Sequence, residues 1–487
     1  MLRRSVRFMG VALPGVAAAS CAPESALPLS AAGLCKPLPP PEFFDEAGRK
    51  LPARLIQVQT VFRHGARLPV EDSGCRDGLC TWTPADSDKR HQLSRFGQIR
   101  LYAHGDGDAL SPVEVFGGGS GGLVGGGSGG RLTPLGLQQA VELGNELRAR
   151  YVDASAQTCA SISPARLLPA TWERARRLVV PRSTRVERTV YTAAGVLHGL
   201  YPAVDGHRQI PEIEISLSGE PSDEFLVLND AACPRLQVLF RQGLRLSAAN
   251  LDEQQRRCIE TVEQGGGWLV DDPQWKLISY RDWYSTRRAA GKPIPPAVEA
   301  IAFELDVASA KQMHKIFEAS AEHTSAPETT RRESLRLIIG RLWTHVLDTM
   351  ARPDGALHLL SGHDWSVSPL LMCIVTHDDA LLQHWPPFCS NLAFELWSTR
   401  EADCREPRRL SHPACAGDAS AHEDGRHVRV VYNGQPVQLL CSAPGRQTCT
   451  LAEFKRLVAP HAVSDFTREG REDAAERLAV QDSGFTK

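Results

Sequence analysis

Arg63, His64 and Arg67 stand within one heptapeptide, Arg63-His64-Gly65-Ala66-Arg67-Leu68-Pro69, directly after the apolar run 55–62. An imidazole held between two guanidinium groups suits a phosphate, whose oxygens arginine forks bind in pairs. The same cations depress the pKa of His64 and leave a neutral ring nitrogen able to attack phosphorus. Gly65 lets the backbone approach a ligand, and Pro69 stiffens the exit. The pattern recurs late in the chain: the apolar run 356–360 leads through Ser361-Gly362 to His363-Asp364. A third candidate cation, Arg182, follows Leu178-Val179-Val180-Pro181 at a strand-to-helix turn, where helix N-terminal amides favour anions.

Other chemistries lack their residues. The glycines between 117 and 130 are not followed by Lys-Ser/Thr, as a phosphate-cradling loop requires. Ser120 and Ser128 fit G-x-S-x-G only on paper, because neither sits between a strand and a helix. Paired CxxC or HxxxH units are absent, so neither a zinc site nor any other cofactor is expected. A net charge of −2 gives no bulk attraction to nucleic acid or anionic membrane, and no apolar run reaches the length of a transmembrane span. Anion binding must come from a local arginine cluster. The ligand this suits is a phosphate.

The elements that carry these residues predict an α/β fold with a largely parallel central sheet, flanking helices and a mostly α-helical cap domain. Strands are expected over 55–62, 178–180, 356–360 and 428–431. Thr133 caps an amphipathic helix with Pro134 in its first turn, and its apolar face carries Leu137, Val141, Gly144, Leu147 and Tyr151. Further helices are expected over 186–197 and 332–350. The predicted division is a targeting segment and linker (1–45), a first part of the core (46–202), a helical cap (203–330), a second part of the core (331–460) and a charged tail (461–487). Residues 70–130 read as a flexible Gly/Ser-rich insertion in the first part. His358 is expected to be a satisfied core residue and His314 to lie on a polar helix face.

The heptapeptide 63–69 is identified as the RHGxRxP signature of the histidine acid phosphatases, in the phosphoglycerate-mutase-like superfamily. Thr133, Gly136 and Gln139 resemble that family's "LTxxGxxQ" helix. Arg182-Ser183-Thr184 resembles its "RST" segment, Arg188 matches a further arginine of that pattern, and Arg185 departs from it. His363-Asp364 resembles its "HD" motif. Trp385-Pro386-Pro387-Phe388 with the strand after it is similar to the lysophosphatidic acid phosphatase type 6 branch. The resemblance implies that His64 is the nucleophile and forms a phosphohistidine. It implies that Arg63, Arg67, Arg182 and His363 bind the phosphate and that Asp364 protonates the leaving alcohol. Protonated His363 and Asp364 would then favour an acidic optimum. A lysophospholipid monophosphate is the implied substrate. A phytase or broad acid phosphatase is the alternative, and an inactive phosphate-binding protein is the rival of another class.

Arg3, Arg4 and Arg7 precede a short apolar stretch, and the first acidic residue is Glu24. This reads as a cleavable targeting segment, secretory or mitochondrial. Of thirteen cysteines, Cys75 with Cys80, Cys404 with Cys415 and Cys441 with Cys449 are close enough for local disulfides.

Overall fold

The computed structural model describes residues 38–71, 81–103, 123–156, 162–204, 207, 209–318, 327–401 and 424–471. Its first strands, β1 (Phe43–Phe44) and β2 (Lys50–Leu51), form a small antiparallel pair. The central sheet contains β3 (Arg54–Arg63), β4 (Gln98–Ala103), β5 (Val179–Ser183), β6 (Glu212–Leu217), β7 (Leu357–Gly362), β8 (Asn391–Ser398), β9 (Arg426–Tyr432), β10 (Gln435–Pro436) and β11 (Cys449–Thr450). Its order is β10-β9-β8-β3-β7-β5-β6-β4, with β11 also on β9. The pairs from β3 through β7, β5 and β6 to β4 are parallel; those involving β8 to β11 are antiparallel.

β3 is buried on both faces, and its residues divide between two cores. Val61 joins a cluster with Ile339, Leu342, Val346, Val367 and Leu370, while Val58 and Phe62 join Leu137, Leu143, Val190 and Leu197. Helices Pro327–Ala351 and Asp364–Met372 thus cover one face; helices Pro134–Tyr151 and Glu187–Leu200 cover the other. Two buried glutamines of β3 are tied to the end of a covering helix. Gln59 Nε2 donates to Val346 O at 3.0 Å and Gln57 Nε2 to Thr349 O at 3.1 Å, both in the last turns of helix Pro327–Ala351. Helices Glu253–Gly266, Lys276–Ala289 and Ala302–Glu318 enclose a separate cap core around Trp268, Tyr280 and Leu305.

Two segments differ from expectation. The segment 70–130 supplies β4, and Leu123 and Trp82 form a small buried cluster with Leu68. The segment 203–330 is not wholly helical, because β6 joins the sheet between β5 and β4. The Cys441–Cys449 disulfide is present. Cys75, Cys80, Cys404, Cys415, Ser120 and residues 1–37 of the expected targeting segment and linker lie outside the described residues.

Candidate active site

β3 and β7 run side by side with Arg63 opposite Gly362, so His64 and His363 leave the sheet at one edge. Carboxyl edges of such sheets are where open α/β folds place ligands. The loop after β3 is fixed by helix Pro134–Tyr151: Gln139 Oε1 accepts from Ala66 N at 2.9 Å, and Thr133 Oγ1 donates to Ala66 O at 2.9 Å. Gly65 has a structural reason different from ligand approach. A Cβ there would stand 2.1 Å from Gly136 O, so the glycine lets loop and helix backbones touch.

His64, Arg67, Arg188, Arg281, Asp282, His363 and Asp364 line one cavity of about 520 Å³. Its other walls are apolar, with Val70, Val186, Leu228, Phe240, Trp275, Ile278, Trp283, Trp365 and Trp385, and Glu71 at its side. The cap thus contributes aromatic surface from helix Lys276–Ala289 and its neighbours, while the sheet edge contributes the charges.

His64 is buried, and its Nδ1 lies 2.8 Å from Gly65 O, a partner that only accepts. Nδ1 therefore carries the proton and Nε2 keeps its lone pair. Burial first, then the charges of Arg188, Arg63 and Arg67, hold the ring well below the ordinary histidine range. His363 crosses it edge-on with centroids 5.5 Å apart. Arg188 Nη2 faces His363 Nδ1 at 3.5 Å, and His363 Nε2 lies 3.0 Å from Thr184 Oγ1. Thr184 Oγ1 is in turn 2.7 Å from Thr189 Oγ1, which donates to Val186 O at 2.8 Å. This chain directs a neutral His363 with its proton on Nε2. Burial and Arg188 keep that ring well below its usual pKa.

Asp364 opens helix Asp364–Met372, where a negative charge is favoured. Its Oδ2 receives Arg63 Nη2 at 2.9 Å and Trp385 Nε1 at 2.8 Å, and its Oδ1 receives Trp365 N at 3.0 Å. Burial opposes ionisation here, but Arg63, Trp385 and Arg67 outweigh it and hold the carboxyl down to about 2. Arg63 is itself buried, its guanidinium 4.4 Å from the Phe388 ring centre and donating to Pro386 O at 2.5 Å. Arg67 is paired with Asp282 of the cap at 2.9 Å. Arg281 is paired with Asp306 at 3.1 Å and lies 5.0 Å from the Trp385 ring centre.

Five of the six sequence-predicted residues, Arg63, His64, Arg67, His363 and Asp364, therefore meet at this edge. Arg182 does not. Its guanidinium stacks on Phe225 at 4.3 Å, near Glu224, Asp223 and Tyr102, away from the cavity lining. The arginine that does reach the cavity is Arg188, in the first turn of helix Glu187–Leu200. Burial first, then the charge of Arg67, pushes Arg188 down to about 9. Asp282, Arg281 and Trp385 also belong to the site and carried no earlier assignment of chemistry. Ser285 donates to Asp282 O at 3.0 Å and takes no part at the cavity. His358 is 3.0 Å from Asp354, whereas His314 reaches Ser368 Oγ at 3.0 Å on the helix that carries Asp364. Among the described residues no group of three or more His, Cys, Asp and Glu side chains is placed to hold a metal ion, and no helix is long and apolar enough to cross a membrane.

The chain is similar to several known proteins. Bovine lysophosphatidic acid phosphatase type 6 is 25% identical over 365 residues, which cover 72% of this chain and 75% of that protein. Mouse testicular acid phosphatase is 26% identical over 359 residues, 68% of this chain and 71% of that protein. The phytase of Hafnia alvei in complex with tartrate shares the fold with a TM-score of 0.50, at 14% identity, over 86% of this chain and 99% of that one. Residues 54–433 match the model of the histidine phosphatase superfamily (branch 2), and with that span running from β3 past His64, Arg188 and His363 to the turn after β9, the chain belongs to this superfamily.

Proposed function

We propose that His64 Nε2 attacks a phosphomonoester and that the phosphate is gripped by Arg63, Arg67 and Arg188, and by His363 once the bound anion draws a proton onto its Nδ1. The chain is a phosphoric monoester hydrolase of its superfamily; the residue roles are our reading. One observation carries it: a buried His64 whose Nδ1–H is held by Gly65 O, beside Arg67 and Arg188 in a walled cavity. In the first step the His64–phosphorus bond forms, the ester P–O bond breaks and the leaving alkoxide takes a proton from Asp364. In the second, water gives its proton to Asp364 and its oxygen to phosphorus, which frees His64 and phosphate. The guanidinium groups stabilise charge on the transferring phosphoryl oxygens.

The wall of Trp275, Trp283, Trp365, Trp385, Phe240 and Ile278 supports an amphiphilic ester, lysophosphatidic acid, as the preferred substrate. An inositol polyphosphate would bring several further charges, whereas this wall is mostly aromatic and carries Glu71 and Asp282, and its arginine, Arg281, is tied to Asp306. The test compares phosphate release from lysophosphatidic acid, phytate and p-nitrophenyl phosphate, by native protein and by His64→Ala. Preference for the lipid, lost in the variant by about a thousandfold or more, is the expected result. Preference for phytate would discard the lipid, and an active His64→Ala would discard the nucleophile.

A further inference from the structure

Asp282 holds the position on Arg67 that a phosphate would take. The two side chains meet fork to fork: Arg67 Nη1 donates to Asp282 Oδ2 at 3.1 Å and Arg67 Nη2 to Asp282 Oδ1 at 2.9 Å. This is the geometry in which a guanidinium binds a phosphate. The pair is not a loose surface contact, because both side chains line the cavity with His64 and Arg67 is buried. The cap helix Lys276–Ala289 that carries Asp282 is fixed on either side of it. Arg281 is tied to Asp306, and Trp283 Nε1 donates to Glu71 O at 3.1 Å.

We infer that Asp282 is a specificity-determining residue that selects the singly ionised phosphomonoester over the doubly ionised one. The inference rests on the reading that phosphate binds between Arg67 and His64. A dianion placed there shares one guanidinium with a carboxylate, and the two anions repel across a poorly solvated gap. A monoanion brings a P–OH that donates to the Asp282 carboxylate, turning the repulsion into a charge-assisted hydrogen bond. The charged and titratable groups around Asp282 are His64 and Arg67 from the loop after β3, Arg188 from helix Glu187–Leu200, His363 directly after β7, Asp364 from helix Asp364–Met372, and Arg281 and Glu71 at the wall. The Asp282 charge is felt at Arg63 and Arg188, so it acts on the whole anion cradle. Acid preference then originates in the ionisation of the substrate, read by a cap residue that is neither the nucleophile nor the proton donor.

The experiment measures KM for p-nitrophenyl phosphate and Ki for inorganic phosphate at about pH 5 and about pH 7.5, either side of the second phosphate ionisation. Native protein, Asp282→Asn and Asp282→Glu are compared. KM and Ki of the native protein should rise by about tenfold or more between the two pH values, and Asp282→Asn should flatten that rise to about threefold or less. Asp282→Glu keeps the charge and should keep the rise. Should Asp282→Asn fail to fold, Asp282→Ser serves the same comparison. The same rise in the neutral variant as in the native protein would overturn the inference while His64→Ala, still inactive, left the underlying reading intact. Turnover by His64→Ala would overturn both.

Discussion

Replacing Arg188 and Arg182 separately by alanine is the sharpest test of the site, because they are six residues apart in one motif and the structure separates their roles. Arg188 lines the cavity, faces His363 Nδ1 at 3.5 Å and is the charge that most depresses His64. Loss of one preorganised donor to a developing anion costs about 2.7–4 kcal/mol, so kcat/KM for Arg188→Ala should fall about 10²–10³-fold. A second signature follows from the same contacts. Removing that cation raises the pKa of His64, so the protonated, unreactive ring gains population as pH falls and the deficit deepens toward acid. Arg188→Lys keeps the charge, loses the fork and should fall between. Arg182, by contrast, covers Phe225 at 4.3 Å beside Glu224. Arg182→Ala should cost stability of about 1–2 kcal/mol and lower the melting temperature by a few degrees. Its kcat/KM should stay within about threefold of native. Steady-state kinetics on p-nitrophenyl phosphate across pH, with thermal melts, reads both effects. A folded Arg182→Ala that loses a hundredfold while Arg188→Ala retains activity would refute this placement of the cradle.

Two further predictions concern protons. Trp385→Phe removes the 2.8 Å indole bond to Asp364 Oδ2, one of the contacts that hold this carboxyl down to about 2. The carboxyl pKa should rise by about one unit, and the alkaline limb of kcat/KM, where a proton donor is lost, should move up with it; an unmoved limb would show that Asp364 does not set it. His314 and His345 are pushed by burial down to about 4, against about 6.5 in the unfolded chain. Between those values the unfolded state binds more protons, so their contribution is complete above pH 6.5 and lost as pH falls toward 4. Each is worth on the order of 2 kcal/mol, and His314→Gln should flatten the fall in melting temperature over that window; an equally steep fall would exclude His314 as a cause.

The sheet edge was legible because chemistry and local structure coincide in the same few residues. Arg63, His64 and Arg67 follow a strand whose β-branched run is unmistakable, and His363 and Asp364 repeat that arrangement at β7. The choice between Arg182 and Arg188 was not legible. In β5 Val179, Pro181 and Ser183 are buried while Val180 and Arg182 are less so, and which side faces phosphate depends on where β5 sits relative to β7. Only one turn further on does the chain place an arginine over the cavity. β6 carried a readable signal, Ile213, Ile215 and Leu217 alternating with Glu212 and Glu214, but a helical neighbourhood masked it. β4 was hidden by the glycines that follow it. Asp282 and Arg281 lie on a cap helix whose sequence has no distinguishing pattern, since their meaning comes from Arg67 and Asp306 across the cavity.

The contacts also move the origin of acid preference. A sequence reading that makes His363 and Asp364 the protonated pair meets a site in which both are held in the opposite state. His363 is buried next to Arg188, and Asp364 receives Arg63, an indole and a helix N-terminal amide. An empty site of this kind has no proton to give to a leaving alcohol at mildly acidic pH. Substrate changes that balance, because its charge offsets the guanidinium groups that depress both pKa values, and a monoanionic ester carries a proton of its own into the cavity. The cap then acts on catalysis through charge. Asp282 on Arg67 and Asp306 on Arg281 set how much positive potential the incoming phosphate meets. Asp306 also accepts from Trp385 N at 3.2 Å, which ties the residue whose indole holds Asp364 to a second cap helix, Ala302–Glu318. Proton supply and anion grip are thereby joined through Trp385, and a substitution at Asp306 must disturb both together.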